Sequence, residues 1–398
     1  MKLDKLLKSK TFIIPTSLIL IFAYITVSAG IRLKSWPFFL IFLLGIILLA
    51  ALAFLWRKFK AIKIILVNLA VLMFFITAIE IFLGLTEKSK EDGVKLEKKG
   101  SYYDITRKYS IPYDETFGYR PLPGANSEDI VIADGKKIRE VTYTIAQDGW
   151  RIGPQEKSDN CILFFGGSMT FGEGLNNDET FAWICGKKTG NRVNNFSFHG
   201  YGPHQMLSGI ESGEVAKCVG KLKAKYAIYT AIPYHPERSA GLTMWDAYGP
   251  KYEIADDGKP HRNGKFMSKY AGYIFKGIYS SKLFIRLFNA YVPLKREHSV
   301  KLAAAIVARS AELLEQKYPG IKFMVFYWGE DDDYCKAIKA NGIKVIMVEE
   351  AIKDYDKDPE KYKIPYDGHP NSLAAKLVGN YLGQILKDSG SKPDKEKK

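Results

Sequence analysis

The chain is poor in cysteine: Cys161, Cys185, Cys218 and Cys335 are the only four in 398 residues, and no two form a Cys-x-x-Cys pair. A thiolate site needs ligands at close spacing, so no metal and no cofactor is expected. All four lie in or beside apolar stretches and read as buried thiols, while a disulfide framework would leave three complete pairings open. Acidic residues are nearly absent from the first 63 positions, which hold ten Lys and Arg against Asp4 alone. The formal net charge of +15 is therefore not a basic face on a folded domain, the footprint a nucleic acid needs, and no nucleic-acid partner is expected. Most of the excess flanks apolar runs, as topology signals do.

Three such runs open the chain, at 11–31, 36–56 and 64–85. Each is about the 20 residues a helix needs to cross hydrocarbon, and Trp36 and Trp56 bracket the second as interfacial aromatics. The first run is long for a signal peptide and two more follow at once. Residues 1–86 thus read as a membrane anchor of three transmembrane helices, with the lipid bilayer as partner. Four lysines in the first ten residues and four basic residues at 57–63 outweigh Arg32 and Lys34 in the intervening loop. That bias puts the N-terminus in the cytoplasm and everything after Leu85 on the periplasmic or extracellular side. Asn68 and Glu80 fall inside the third run; a carboxyl group there reads as a functional or helix-partner residue or, since Glu80 lies near the outer end, as one that reaches headgroups and water, the reading favoured.

Residues 87–125 read as a charged linker and lead-in. The main domain spans 126–388 and begins with a β-hairpin at 127–145, turning at Asp134-Gly135. Arg151 follows, as a structural ion-pair partner or a substrate contact. From there apolar runs at 162–165, 193–196, 227–232, 323–328 and 345–348 alternate with helical patterns at 179–188, 203–217, 300–317, 334–340 and 372–387. This alternation is the mark of an α/β fold: a three-layer α/β/α sandwich on a parallel, flavodoxin-like sheet. It fails at 239–297, an insertion rich in aromatics (Trp245, Tyr248, Tyr252, Tyr270, Tyr273, Phe275, Tyr279) that reads equally as a sugar or acyl platform and as the core of a lid. The tail, 389–398, reads as disordered.

The chemistry is carried by two short stretches. Ser168 follows a buried strand in Gly166-Gly167-Ser168-Met169-Thr170-Phe171-Gly172, and the glycines let the backbone bend sharply and a substrate approach. A serine hydroxyl needs a base to take its proton, and Asp367-Gly368-His369 supplies an imidazole and a carboxylate within one turn. The order Ser, Asp, His also fits the α/β-hydrolase fold. There, however, the acid and the histidine sit in separate loops and the serine lies in Gly-x-Ser-x-Gly, whereas position 170 here is Thr.

The arrangement resembles the SGNH, or GDSL-type, hydrolases, in which four sequence blocks build one site. The Ser168 stretch matches the nucleophile block, with Gly167 where many members have Asp. Asn195-Phe196-Ser197-Phe198-His199-Gly200 matches the second block, so the resemblance gives Gly200 N–H, with Ser168 N–H, to the oxyanion hole. Asp367 and His369 match the last block, one residue closer than the commonest Asp-x-x-His spacing. The third block departs: Gly-x-Asn-Asp is replaced by Pro233-Tyr234-His235-Pro236-Glu237-Arg238. His235 is the donor best placed to stand in for the missing Asn, and Arg238 binds an anion or braces the loop. His199 and His204 read as local hydrogen-bonding residues.

The resemblance covers 160–386 and implies a serine esterase or O-acyltransferase with a Ser168, His369, Asp367 triad. Its branch acts on O-acyl groups, often acetyl, of cell-envelope glycans; transfer in place of hydrolysis would call for a membrane-bound acyl-donor partner. The alternatives are a lysophospholipase or lipid esterase, if the aromatic insertion faces the bilayer, and a catalytically silent glycan-binding scaffold, because the third-block Asn is missing.

Overall fold

The structure is a computed structural model that describes residues 44–49, 51–52, 59–86, 94–101, 113–243, 245–268, 271, 278 and 281–391. The chain divides into two compact units, Met1–Gly93 with Lys269–Pro293, and Val94–Ser268 with Leu294–Lys398.

In the first unit, the first expected span lies outside the described residues, and of the second only 44–49 and 51–52 are described, as helix. The third is the helix Lys60–Thr86, whose stretch Ile64–Gly84 has a mean hydropathy of 2.5 and is long and apolar enough to cross a membrane. It is the only such helix among the described residues. Ile64, Leu72, Phe75 and Phe82 on it are exposed. Glu80 is not open to water, as the sequence led us to expect, but 1% exposed. Its carboxyl oxygens accept hydrogen bonds from the backbone N–H groups of Lys282 (2.6 Å) and Leu283 (3.0 Å) and from the Ser281 hydroxyl (2.9 Å). These are the first N–H groups of a second helix, Lys282–Leu294, which have no intrahelical partner.

The second unit opens with a three-stranded antiparallel sheet. Strand β1 (Leu96–Lys99) pairs with β2 (Asn126–Ala133), which forms a hairpin with β3 (Lys136–Thr144). Asp134 and Gly135 both take positive φ, 46° and 80°, as a tight hairpin turn of matching twist requires. β1 falls in the stretch read as linker. Its four exposed residues carry no burial pattern, so backbone pairing alone makes the strand.

Five parallel strands follow: β4 (Asn160–Gly166), β5 (Arg192–Ser197), β6 (Lys223–Ala231), β7 (Lys322–Tyr327) and β8 (Val345–Met347), in the spatial order β8-β7-β6-β4-β5. All five expected strands are present. Side chains alternate between the faces, as the strand period of two demands. Ile162 and Phe164 pack with Phe181, Cys185, Val378 and Leu382 on one face. Cys161, Leu163 and Phe165 pack with Val307, Leu314, Tyr334 and Ile338 on the other. Helices Phe181–Thr189 and Ser372–Ser391 cover the first face, and Pro203–Glu211, Arg296–Lys317 and Asp333–Ala340 the second. Phe164 is fully buried, so truncation to alanine costs about 3–5 kcal/mol.

One helix differs from expectation: the pattern at 203–217 is broken into Pro203–Glu211 and Glu214–Val219, with Gly213 at φ 80° between them. The last helix starts at Ser372, where the pattern places it, with Asn371 Oδ1 accepting the Ala374 N–H (3.1 Å). All four thiols are free; Cys161, Cys185 and Cys335 are buried, and burial pushes each up to about 12.

The chain runs from β4 outward to β5 and then crosses to β6 on the other side of β4. The carboxyl end of β4 is therefore the switch point of the sheet, where ligands bind in open α/β folds. The insertion is divided between the units: an antiparallel hairpin, Pro250–Ile254 with Pro260–Lys265, belongs to the second, and Lys282–Leu294 lies almost wholly in the first. Tyr270, Tyr273, Phe275 and Tyr279 lie outside the described residues. Tyr252 is buried, with its hydroxyl on Glu211 Oε2 (2.7 Å), so this aromatic is core, whereas Trp245 is exposed.

Candidate active site

Ser168 begins a one-turn helix, Ser168–Phe171, at the switch point. The turn that lifts it there depends on glycine. Gly166 takes φ 152°, and a Cβ on it would fall 2.2 Å from Thr170 Oγ1. A Cβ on Gly167 would fall 2.8 Å from Arg238 Nη1, so the space a larger residue would use at this position is held by a guanidinium.

Ser168 Oγ lies 2.7 Å from His369 Nε2, and His369 Nδ1 is hydrogen-bonded to Asp367 Oδ1. The loop that brings them there is tightly wound: Tyr366 and Gly368 on either side of Asp367 take φ 61° and 87°. Asp367 Oδ2 accepts from Arg139 Nη1 (2.6 Å). Arg139 also pairs with Asp129 Oδ2 (3.0 Å), which accepts the Tyr143 hydroxyl (2.6 Å). The hairpin β2–β3 thus backs the acid with a buried chain of charges.

Burial raises the Asp367 pKa, but the hydrogen bonds and charges of His369 and Arg139 outweigh it and hold the group far below the usual carboxylate range. Burial lowers that of His369, but the Asp367 hydrogen bond and the negative charges of Glu173 and Asp367 outweigh it, so the imidazole titrates above its ordinary value. Glu173 is 7% exposed, with Oε2 2.9 Å from His199 Nδ1 and 3.7 Å from His369 Nε2. It stands between Gly172 and Gly174, both at positive φ.

Gly200 takes φ 77°, and a Cβ on it would meet Trp245 Nε1 at 2.6 Å and the Tyr119 hydroxyl at 2.7 Å. Those groups hold the local carbonyls: Tyr119 O–H donates to His199 O (2.8 Å) and Trp245 Nε1–H to Gly200 O (3.2 Å). In a trans peptide the N–H points away from the carbonyl, so fixing the His199 carbonyl fixes Gly200 N–H on the opposite side.

His235 is 1% exposed, and its Nε2 has no hydrogen-bond partner. That atom lies 3.5 Å from where a Gly167 Cβ would be, so it faces the nucleophile turn. Nδ1 is bonded to the Tyr229 hydroxyl (2.5 Å). Burial, with Arg238 and His204 nearby, depresses its pKa well below the ordinary value, which keeps the ring neutral. The tautomer in which the Tyr229 hydroxyl donates to Nδ1 puts the proton on Nε2 and makes that atom a donor. Arg238 donates from Nη1 to Tyr201 O (2.7 Å) and lies 5.7 Å from the Trp245 ring centroid, while its Nε is buried without a partner.

The structure therefore brings together Ser168, His369, Asp367, His235 and Arg238. Arg151 is different. It is 2% exposed, with Nη1 donating to Phe171 O (2.6 Å) and Gly172 O (2.7 Å), Nη2 to Leu175 O (2.6 Å) and Nε to Asn177 Oδ1 (3.0 Å). It clamps the carbonyls of the nucleophile turn. Three site residues escaped the sequence reading. Arg139 and Asp129 sit on a hairpin whose alternation looked ordinary, and Glu173 sits in Gly172-Glu173-Gly174, where an acid between two glycines was the available signal. Among the described residues no group of three His, Cys, Asp or Glu could hold a metal ion.

A serine, a histidine and an aspartate bonded in series are the constellation that serine hydrolases use. No family model and no curated protein matches the chain. Among solved structures it is similar to a lipolytic protein of the G-D-S-L family from Desulfitobacterium hafniense, at 12% identity over 57% of this chain and 99% of that one, TM-score 0.33. It is also similar to a carbohydrate esterase family 2 enzyme from Corynascus thermopiles (12% identity, 67% and 84% covered, TM-score 0.33). A third is the acetyl xylan esterase Est2A from the rumen bacterium Butyrivibrio proteoclasticus (12%, 65% and 68%, TM-score 0.33).

Proposed function

We propose that the chain is a membrane-anchored serine esterase or O-acyltransferase of SGNH type, acting outside the cytoplasmic membrane on acyl esters, above all acetyl esters, of envelope glycans. The observation that carries the chemistry is the 2.7 Å approach of Ser168 Oγ to His369 Nε2, with Asp367 on the other ring nitrogen. Ser168 Oγ bonds to the ester carbonyl carbon as its proton passes to His369. The tetrahedral intermediate then expels the alcohol, which takes that proton from His369. Water or a sugar hydroxyl gives its proton to His369, attacks the acyl-serine, and releases Ser168. Asp367, held by Arg139, keeps the Nδ1 proton in place and favours the imidazolium formed at each step.

The oxyanion is met by the N–H groups of Ser168 and Gly200 and by His235 Nε2–H. A neutral, buried donor with no other partner costs no reorganisation when charge develops on the carbonyl oxygen. Arg238, beside Gly167, adds a fixed positive charge to the same side. The membrane assignment is supported by the apolar helix Ile64–Gly84 and by the basic bias of the N-terminal loops.

The test is labelling of Ser168 by a fluorophosphonate, followed by mass spectrometry of the acyl-enzyme formed from an acetylated glycan and from a lysophospholipid. An acetyl adduct on Ser168 from the glycan alone supports the proposal. A fatty-acyl adduct alone replaces glycan with lipid, and no label and no adduct sinks the enzyme reading.

A further inference from the structure

The helix Lys282–Leu294 has no buried residue. At 100° per residue, Leu283, Phe284, Leu287, Phe288, Tyr291 and Leu294 fall on one face and Lys282, Arg286 and Asn289 on the other. The apolar face is exposed at Leu287 (62%) and Leu294 (79%), while Leu283, Phe284 and Phe288 are half-buried. A folded chain gains nothing from large apolar side chains left in water, so the exposed part of this face is built for an occupant.

Glu80 says which. Its carboxyl group accepts the N–H groups of Lys282 and Leu283 and the hydroxyl of Ser281, whose Oγ in turn accepts the Phe284 N–H (3.0 Å). The N-terminus of the amphipathic helix is thereby bonded to one level of the apolar helix. That level is four residues before the end of Ile64–Gly84, about 6 Å along the axis. The stretch itself, 21 residues long, spans about 31 Å, matching the roughly 30 Å of a hydrocarbon core. An amphipathic helix lying in a bilayer surface sits at about this depth, 5–10 Å into the boundary between headgroups and acyl chains.

We propose that Lys282–Leu294 is an interfacial helix whose apolar face enters the outer leaflet. The proposal rests on reading Ile64–Gly84 as a membrane span. It gives Lys282–Leu294, within the insertion, a role other than lid or sugar platform.

The test uses the full chain in vesicles of phosphatidylethanolamine and phosphatidylglycerol. Leu287→Cys, Asn289→Cys and, as a control in the span, Phe75→Cys each carry an environment-sensitive fluorophore, with labelling of the unmutated protein subtracted. Fluorophosphonate reaction at Ser168 monitors folding. The expected result is several-fold quenching of the Phe75 and Leu287 labels by nitroxide on lipid acyl chains, with the Asn289 label quenched by aqueous iodide. Glu80→Gln should move the Leu287 label toward iodide. Lipid quenching at Phe75 with iodide quenching, or none, at Leu287 overturns the interfacial helix while leaving the span in place. The second of these results means that protein, such as another copy of the chain, covers the face. No lipid quenching at Phe75 overturns the span and the interfacial helix with it.

Discussion

His369 with Asp367 and His204 with Asp246 are the same pair of side chains in two settings. In the second, Nε2 of His204 lies 2.7 Å from Asp246 Oδ2, and Gln205 Nε2 donates to the same oxygen at 2.8 Å. Both members have no exposed side-chain surface, and His204 Nδ1 is buried with no partner, against Gly202. That pair welds residue 246, at the start of the insertion, to the helix Pro203–Glu211. In the first, the imidazole keeps 22% of its side-chain surface exposed and its other nitrogen meets a hydroxyl. The difference teaches that a histidine–carboxylate pair becomes a base only where its second nitrogen has both a nucleophile and a path for substrate; sealed, it is a structural weld.

The comparison breaks most visibly at the nucleophile. Ser168→Ala should abolish fluorophosphonate labelling and cut kcat for p-nitrophenyl acetate by about 10⁴-fold or more, with the melting temperature little changed. In the sealed pair the expectation reverses. His204→Leu leaves a buried carboxyl group without its partner, at about 3–5 kcal/mol of stability by denaturant titration, while kcat per labelled active site stays within a few-fold of wild type. His235→Ala removes an oxyanion donor, so kcat should fall about 10²–10³-fold with KM unchanged, as steady-state kinetics would show.

The smallest effect sharpens the electrostatic side. The reaction needs neutral His369, so kcat/KM rises as pH passes upward through its raised pKa. Glu173 favours the imidazolium; Glu173→Gln should therefore move this acidic limb to lower pH in a pH–rate profile. An unmoved limb would make Glu173 a partner of His199 alone.

The five strands, the nucleophile turn and the Asp-Gly-His loop were legible because each is local. An apolar run bounded by glycines, or a base two residues from its acid, shows within a few positions. What escaped was non-local. Nothing in 127–145 says that Arg139 and Asp129 turn inward, because the inward row of a hairpin is normally apolar and their burial makes sense only once Asp367 stands opposite. The carbonyl contacts of Arg151 escaped for the converse reason, since their acceptors come from a turn whose path the sequence does not give. The helix Lys282–Leu294 was hidden by the aromatic content of its insertion, which drew attention to side-chain type and away from the helical spacing of Leu283, Leu287, Tyr291 and Leu294.

Ser168 and His369 are 201 residues apart, and the hairpin that steadies Asp367 reaches it across 228. At ribosomal rates of about 5–20 residues per second, the serine is made roughly ten to forty seconds before its base. Throughout that interval it is an ordinary alcohol. A chain stalled or clipped before residue 369 lacks the imidazole that stands beside Ser168, so the long separation withholds that contact until the second unit has folded.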